Sequence, residues 1–565
     1  MGTGDMVRAL PRVDMLCINQ GDPAGRGHQV GKMTDIFKSA SRVLVWLGPS
    51  DPYTGSAIEA MTRLNAEVEV DFVTGEATGV QDVISPIMSL ATLTMESLMS
   101  IFERPWFGRL WIWQEVCAKP SETTVMIGKY TIDWSAIQKF LLSFHARGPS
   151  HGRYHQSVDQ ARGLCSTLAG DNLIHLLDLT RNSQCSDPRD RIFALLGMLE
   201  PGGRLGIEPD YEKEVVDVFM QVVLQSLALQ KSLRILSHCK LMSGGVDMPS
   251  WVPRWSGGLS IIRPLGHAYL CTNAIAEYAG GNILRVLGVE VGTIASIHAP
   301  GYLAGGWHER WSQSEFAARV LSLASFSGGA DECDSTAEAV MRTLCWNRSA
   351  DAYEPPFESF ISSSVVKNSL LAWNDYLVCE KSRLKSCEPP MTNSHFERFV
   401  AEVQVLAAEY SPFRTEEGRL GLGPKLAAPG EKVRVVLGCN YPLILRPVSE
   451  NQWVIVGDCY VDDLMSGSAL LSSLPDDFRL VTQLNPRTGT WCMAFRNVRT
   501  GHVQLEDPRI MDPLPGGWEL AEHEDAEFRQ AFYNRSEDRC TWEDPRLTPD
   551  ALRARGVKLK NFDLV

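Results

Sequence analysis

The sequence predicts an α/β domain at its N-terminal end, with a mostly parallel sheet and flanking helices. An α+β middle region and small all-β modules follow. Three observations carry this. Residues 13–20 and 42–48 contain short apolar runs of the buried-strand kind. Between them, residues 29–40 place Val30, Met33, Ile36, Phe37 and Ala40 at helical spacing, which makes a strand–helix–strand unit. Far downstream, residues 432–445 and 453–461 are densely β-patterned.

The bulk numbers set the class. A chain of 565 residues has room for several domains with ample core. Hydrophobic content of 44% and charged content of 22% are ordinary for a globular protein. A net charge of −14 argues against a general nucleic-acid binder, which needs a basic face for phosphates. The 14 cysteines include no C-x-x-C pair, so a structural metal site is not expected. With no signal-peptide core and no apolar run long enough to span a membrane, a reduced, cytoplasmic protein is the expectation.

Taken in order, residues 56–102 read as helical around a polar insert at 71–81. Pro105 suits the first turn of a helix, and the run Arg104-Pro105-Trp106-Phe107-Gly108-Arg109-Leu110-Trp111-Ile112-Trp113-Gln114-Glu115 sets Trp111 and Glu115 four apart on one face. Gly128-Lys129 between residues 124–127 and 130–132 predicts a hairpin, and Asp133-Trp134-Ser135 opens a helix. Asp187 is a natural N-cap for the helix ending at Gly197. Residues 215–229 form an amphipathic helix by spacing, residues 283–297 two strands turning near Gly288, and residues 418–423 a glycine-rich loop.

The tail contains an internal repeat. Leu474-Pro-Asp-Asp-Phe478, Phe495-Arg-Asn497 and Leu505-Glu-Asp-Pro-Arg509 are echoed by Leu514-Pro-Gly-Gly-Trp518, Phe532-Tyr-Asn534 and Trp542-Glu-Asp-Pro-Arg546. The second copy resembles a WW domain, with Trp518, Phe532 and Pro545 as its small core. Its peptide groove is incomplete: Trp542 supplies one ring, but Ala531 stands where the other belongs, and the first copy has Ala494 and Leu505. Both copies therefore read as structural or docking modules.

The N-terminal stretches resemble the fungal heterokaryon-incompatibility (HET) domain, whose signature is close to W-I-D-A-x-C-I-N-Q, then V-W-L-G, then R-x-W-F-x-R-x-W-x-x-Q-E. Here these stand as Val13-Asp14-Met15-Leu16-Cys17-Ile18-Asn19-Gln20, Val45-Trp46-Leu47-Gly48 and the run from Arg104 to Glu115. Asp187-Pro188-Arg189-Asp190-Arg191-Ile192-Phe193-Ala194-Leu195-Leu196-Gly197, and Met248-Pro-Ser-Trp-Val-Pro-Arg-Trp255, resemble elements that close and follow such domains. The family's upstream strand, Y-x-A-L-S-Y-x-W-G, is not found in residues 1–12, so the expectation is either a sequence that starts late or a HET domain lacking its first strand. The resemblance divides the chain into a HET domain at 1–200, a mixed region at 201–425, a β module at 426–472 and WW-like repeats at 473–510 and 511–548.

Strand, helix, strand and then a W-x-x-x-E helix is also similar to Toll/interleukin-receptor (TIR) domains. In their NAD-cleaving members, that glutamate is catalytic. The resemblance places the role on Glu115, with Trp111 beside it and NAD as substrate; no cofactor is implied. The plainer reading pairs Glu115 with Arg109 or another arginine. Asp14, Asn19 and Gln20, at or just beyond the end of the first strand, are candidate ribose or phosphate contacts, because ligands bind at the carboxyl edge of open α/β sheets. For Asn19 and Gln20 the competing role is capping of the loop that follows. Gly25 stands where the family usually carries an acid.

What the resemblance implies is a role in nonself recognition and regulated cell death. Execution falls to the HET domain and sensing or restraint to the C-terminal parts, with protein partners and self-association through the HET domain. A non-enzymatic adaptor and recruitment to a secondary-metabolite pathway are the alternatives.

Overall fold

The computed structural model describes residues 18–19, 21–70, 77–78, 92–147, 158, 161, 163–165, 173–199, 201–242, 248–255, 266–270, 272–298, 313–325, 333–347, 363–382, 388–391, 393–484, 491–524, 530–541 and 543–565. Helices α1 (Pro23–Gly31) and α2 (Met33–Ser39) lead into strand β1 (Val43–Trp46). Apolar spacing over residues 29–40 predicts one helix, but Lys32 interrupts it, at φ −101° and ψ −4°. The start of α1 is set locally: Asp22 accepts the Gly25 N–H at 3.0 Å and Pro23 occupies the first turn.

Strand β1 runs parallel to β2 (Thr123–Ile127), which turns at Gly128, φ +57°, into the antiparallel β3 (Tyr130–Asp133). The described sheet is thus mixed where a mostly parallel one is expected, because the Gly128-Lys129 turn folds β3 straight back. The predicted strand over residues 13–20 lies outside the described residues except for Ile18 and Asn19. Helices α3 (Thr54–Glu67), α4 (Thr92–Phe102), α5 (Ile112–Cys117), α6 (Trp134–Arg147), α7 (Leu173–Leu179) and α8 (Asp190–Leu196) complete this part. Phe102 of α4 and Phe140 of α6 stack with ring centres 5.7 Å apart. Every residue of α8 is buried.

The core does not stop at residue 200. Phe193, Phe219 on α9 (Val215–Gln230), Trp251, Val286 and Leu443 belong to one apolar cluster. The chain then forms β4 (Ala276–Gly280) and β5 (Ile283–Ile297), which is a single strand and not two. Gly288 makes no turn. It allows close approach, since a Cβ there would lie 2.4 Å from the Val435 carbonyl oxygen.

Helices α10 (Gln313–Ser325), α11 (Cys333–Leu344), α12 (Ser363–Ser382) and α13 (Ser394–Ala407) precede strands β6 (Tyr410–Thr415) and β7 (Leu420–Pro424). The sequence reads the latter as a loop. It is a strand whose Gly421 and Gly423 leave room for the Phe413 ring, which would meet a Cβ at 2.3 and 3.1 Å.

Strands β8 (Lys432–Val436), β9 (Leu443–Pro447), β10 (Gln452–Asp458) and the late β18 (Lys560–Leu564) join β5 in a closed ring. The order is β8-β9-β10-β18-β5 and back to β8. Closure removes the free edges of an open sheet. The fifth stave comes from beyond the repeats, so the β structure expected at residues 426–472 is part of a larger barrel. Phe562 of β18 and Trp453 of β10 sandwich the Arg434 guanidinium at 3.9 and 3.5 Å, and Arg285 pairs with Asp563 at 2.8 Å. The Ser250 N–H and hydroxyl both donate to the Val565 carbonyl oxygen.

Strand β11 (Tyr460–Val461) pairs with β7. Each repeat then forms a three-stranded antiparallel sheet: β12 (Phe478–Leu484), β13 (Trp491–Asn497) and β14 (Val503–Gln504), then β15 (Trp518–Glu524), β16 (Gln530–Asn534) and β17 (Arg539–Thr541). Trp542 lies outside the described residues. The repeats are inserted before the last stave and lean on a buried strap. In that strap His267 packs against Phe495 with ring centres 6.0 Å apart, and the Asn273 N–H and Nδ2 donate to Glu543 at 3.1 and 3.0 Å.

Candidate functional site

The run from Arg104 to Glu115 is not one helix. Pro105–Gly108 forms a 3-10 turn, and α5 begins only at Ile112. Arg104 donates to the Leu47 and Pro49 carbonyls at 2.6 and 2.9 Å, tying this run to the end of β1. Trp111 precedes α5 with helical dihedrals, φ −64° and ψ −23°, so the four-residue spacing still brings Trp111 and Glu115 to one side. Glu115 stands in the first turn, half-buried, where the helix dipole favours a carboxylate. Between them Gln114 is buried and donates to the Ala194 carbonyl on α8 at 2.7 Å, while Trp113 donates to Ser183 at 3.2 Å.

Trp111 reaches α8 as well. Its indole Nε1–H donates to Asp190 Oδ2 at 3.3 Å. Asp190, buried at the start of α8, also accepts from the Tyr211 hydroxyl through Oδ1 and from Arg26 Nη2 through both oxygens at 3.3 Å. Arg26 comes from α1 and lies flat over the Tyr211 ring, 3.7 Å from its centre. Gly27 permits that approach: a Cβ would sit 2.6 Å from the Pro209 carbonyl oxygen. Burial pushes the Asp190 carboxyl above its ordinary range, against the pull of Tyr211, Arg26 and Trp111. Burial and the neighbouring Asp190 carboxylate likewise raise the Tyr211 phenol.

Asp187 behaves differently. It does not cap α8, which starts three residues later. Its Oδ1 accepts the Arg189 N–H and Nε at 3.0 Å, and its Oδ2 accepts Nη2 at 3.0 Å. Arg189 then donates to the Tyr211 and Lys213 carbonyls at 2.7 and 2.8 Å. Burial raises its carboxyl, but the Arg189 hydrogen bonds outweigh this and hold it below the ordinary range. The same Asp-Pro-Arg clasp recurs in the repeats. Asp507 accepts the Arg509 N–H at 2.9 Å, Asp544 accepts the Arg546 N–H at 2.8 Å, and both carboxylates also hold the arginine side chain. Three copies of one clasp mark it as a folding device.

Of the residues singled out in sequence, Trp111, just before α5, and Glu115, in its first turn, come together on one side. Asn19 is exposed on the loop before α1, where its side-chain oxygen accepts the Gly21 N–H at 3.1 Å. Asp14 and Gln20 lie outside the described residues. Gly25 is matched to the Asp22 cap, since a Cβ there would fall 2.4 Å from the Asp22 carboxylate. Sequence reasoning missed Arg26, Asp190 and Tyr211. One signal was available: of the three Asp-Pro-Arg tripeptides, only the first is followed by an acid, the others by Ile510 and Leu547.

Among the described residues, no helix is long and apolar enough to cross a membrane. No solved structure matches the chain. The family profile of the heterokaryon incompatibility protein (HET) matches residues 12–115, and that of the Het-6 β-barrel domain matches residues 334–481. Heterokaryon incompatibility protein 6, OR allele, of Neurospora crassa is 25% identical over 570 residues, covering 83% of this chain and 82% of its own length. With both profiles matched and similarity running along most of its length, the chain is similar to the heterokaryon-incompatibility (HET) proteins, with its HET-like part at residues 12–115 and its Het-6 barrel-like part at residues 334–481.

Proposed function

We propose that this chain acts in nonself recognition and regulated cell death, with the HET domain executing through TIR-like cleavage of NAD or a related nucleotide. The first half is supported by the match to the HET profile and by the printed name of the Neurospora relative. The second rests on one observation. Trp111, one turn before Glu115, is held by a buried carboxylate, so the helix that carries Glu115 is fixed by a polar network.

In this reading NAD is the substrate and Glu115 the catalytic residue. The bond from ribose C1′ to the nicotinamide nitrogen breaks, and nicotinamide leaves with the electron pair. The Glu115 carboxylate stabilises the positive charge at C1′, and water adds there with loss of one proton, giving ADP-ribose. Purified full chain should release nicotinamide from NAD, and Glu115→Gln should abolish release while the protein stays folded. Equal release by both proteins removes Glu115 from the chemistry.

A second reading has its own support. Leu44 and Trp46 on β1 are 62% and 57% exposed on one side of the sheet, an unusual position for large apolar side chains. A self-associating adaptor would use such a face, and its toxicity would survive Glu115→Gln but not Trp46→Ser.

A further inference from the structure

We infer that Asp190 is a positioning residue: by accepting the Trp111 indole N–H it sets α5, and with it Glu115, relative to the segment that leaves the domain at Tyr211. The inference rests on the reading of Glu115 as catalytic.

The protein contains its own control for what an Asp-Pro-Arg turn needs. In all three copies the residue after the arginine donates its N–H to the carbonyl of the aspartate, at 3.0 Å from Asp190, 3.0 Å from Ile510 and 2.8 Å from Leu547. In the two repeats that residue is aliphatic and packs into the apolar cluster around Leu270 and Leu552. The turn therefore forms without an acid. At Asp190 the chain buries a carboxylate instead, a costly choice where an aliphatic side chain serves the same turn elsewhere.

What the carboxylate adds is a junction. Its two oxygens take hydrogen bonds from α1 through Arg26, from the approach to α5 through Trp111, and from the exit segment through Tyr211. Tyr211 and Arg26 hold the Asp190 rotamer, leaving Oδ2 aimed at the indole. Trp111 lies one helical turn before Glu115, so a shift of the indole swings the catalytic carboxylate. Asp190 acts through Trp111 and has no contact of its own with the reacting bond in this scheme.

A double-mutant cycle on nicotinamide release by the full chain tests this. Asp190→Leu installs the residue of the third clasp, and Trp111→Phe keeps a ring but removes the donor. Each single change should lower kcat by roughly tenfold or more, with KM within about twofold. The double variant should be no slower than the slower single variant. Asp190→Asn, which keeps an oxygen for the indole, should recover most of kcat. A parallel cycle of Tyr211→Phe with Trp111→Phe, which deletes only a hydroxyl and a donor, gives the same reading if Asp190→Leu does not fold. Losses that multiply in the double variants, with release still dependent on Glu115, overturn the positioning role alone. No release by the unaltered chain, or release indifferent to Glu115→Gln, overturns the catalytic reading and this inference together.

Discussion

The indole nitrogen of Trp111 and the carboxylate of Asp190 lie 3.3 Å apart, joining residues separated by 79 positions. This contact links the two parts of the N-terminal domain most easily recognised in sequence, the Trp-x-x-x-Glu helix and the Asp-Pro-Arg-Asp turn. Neither part suggests the other when read alone.

The close approach that supports this contact should be sensitive at Gly197. It ends α8 in a right-handed conformation, φ −68°, so it does not serve as a left-handed stop. Its role is space: a Cβ would lie 2.0 Å from Thr34 Oγ1 on α2 and 3.2 Å from Gln114 Nε2. Gly197→Ala should destabilise the N-terminal domain by about 1–3 kcal/mol through overpacking. Hydrogen exchange of α5 and α8 reads this directly, with barrel amides unchanged. Unaltered exchange would show that Thr34 yields without cost.

Barrel closure should depend on Phe562. The ring is buried and covers one face of the Arg434 guanidinium, whose other face lies against Trp453. Phe562→Ala should cost about 3 kcal/mol or more and loosen β18 together with its neighbours β5 and β10. Proteolysis should then cut near residues 555–559 in the variant at a concentration of protease that spares the parent chain. Equal resistance would place the closure of the barrel elsewhere.

The joint between the strap and the first repeat should weaken in acid. His267 is buried beside Tyr269 and Phe495 and feels the Asp507 carboxylate and the Arg509 guanidinium. Burial, with a small contribution from Arg509, lowers its pKa from 6.5 to about 4. The folded state therefore binds fewer protons than the unfolded state between those values, so stability falls as pH drops from about 6.5 to about 4. The full effect is about 3 kcal/mol. His267→Gln should flatten the dependence in that window, measured by hydrogen exchange of β13. An unchanged slope would assign the acid sensitivity to other groups.

These sites show which features a sequence displays. The Gly128 hairpin and the helix at residues 215–230 were legible because residues within one turn determine them. Gly288, Gly421 and Gly423 looked like turns or loops, yet each is a strand residue whose missing Cβ admits the Val435 carbonyl or the Phe413 ring. The barrel was half visible for a related reason. Its β-patterned middle stood out, but the closing stave is separated from the others by two inserted repeats. Asp190 was hidden more deeply, because its partners Arg26, Trp111 and Tyr211 lie 164, 79 and 21 residues away.

The most direct test of the central claim is inducible expression of the full chain and of Glu115→Gln at equal protein level, following cellular NAD and growth together. The parent chain should deplete NAD and arrest growth, and Glu115→Gln should do neither. Growth arrest by both proteins with NAD undiminished would contradict the claim and leave self-association through the Leu44 and Trp46 face as the mechanism.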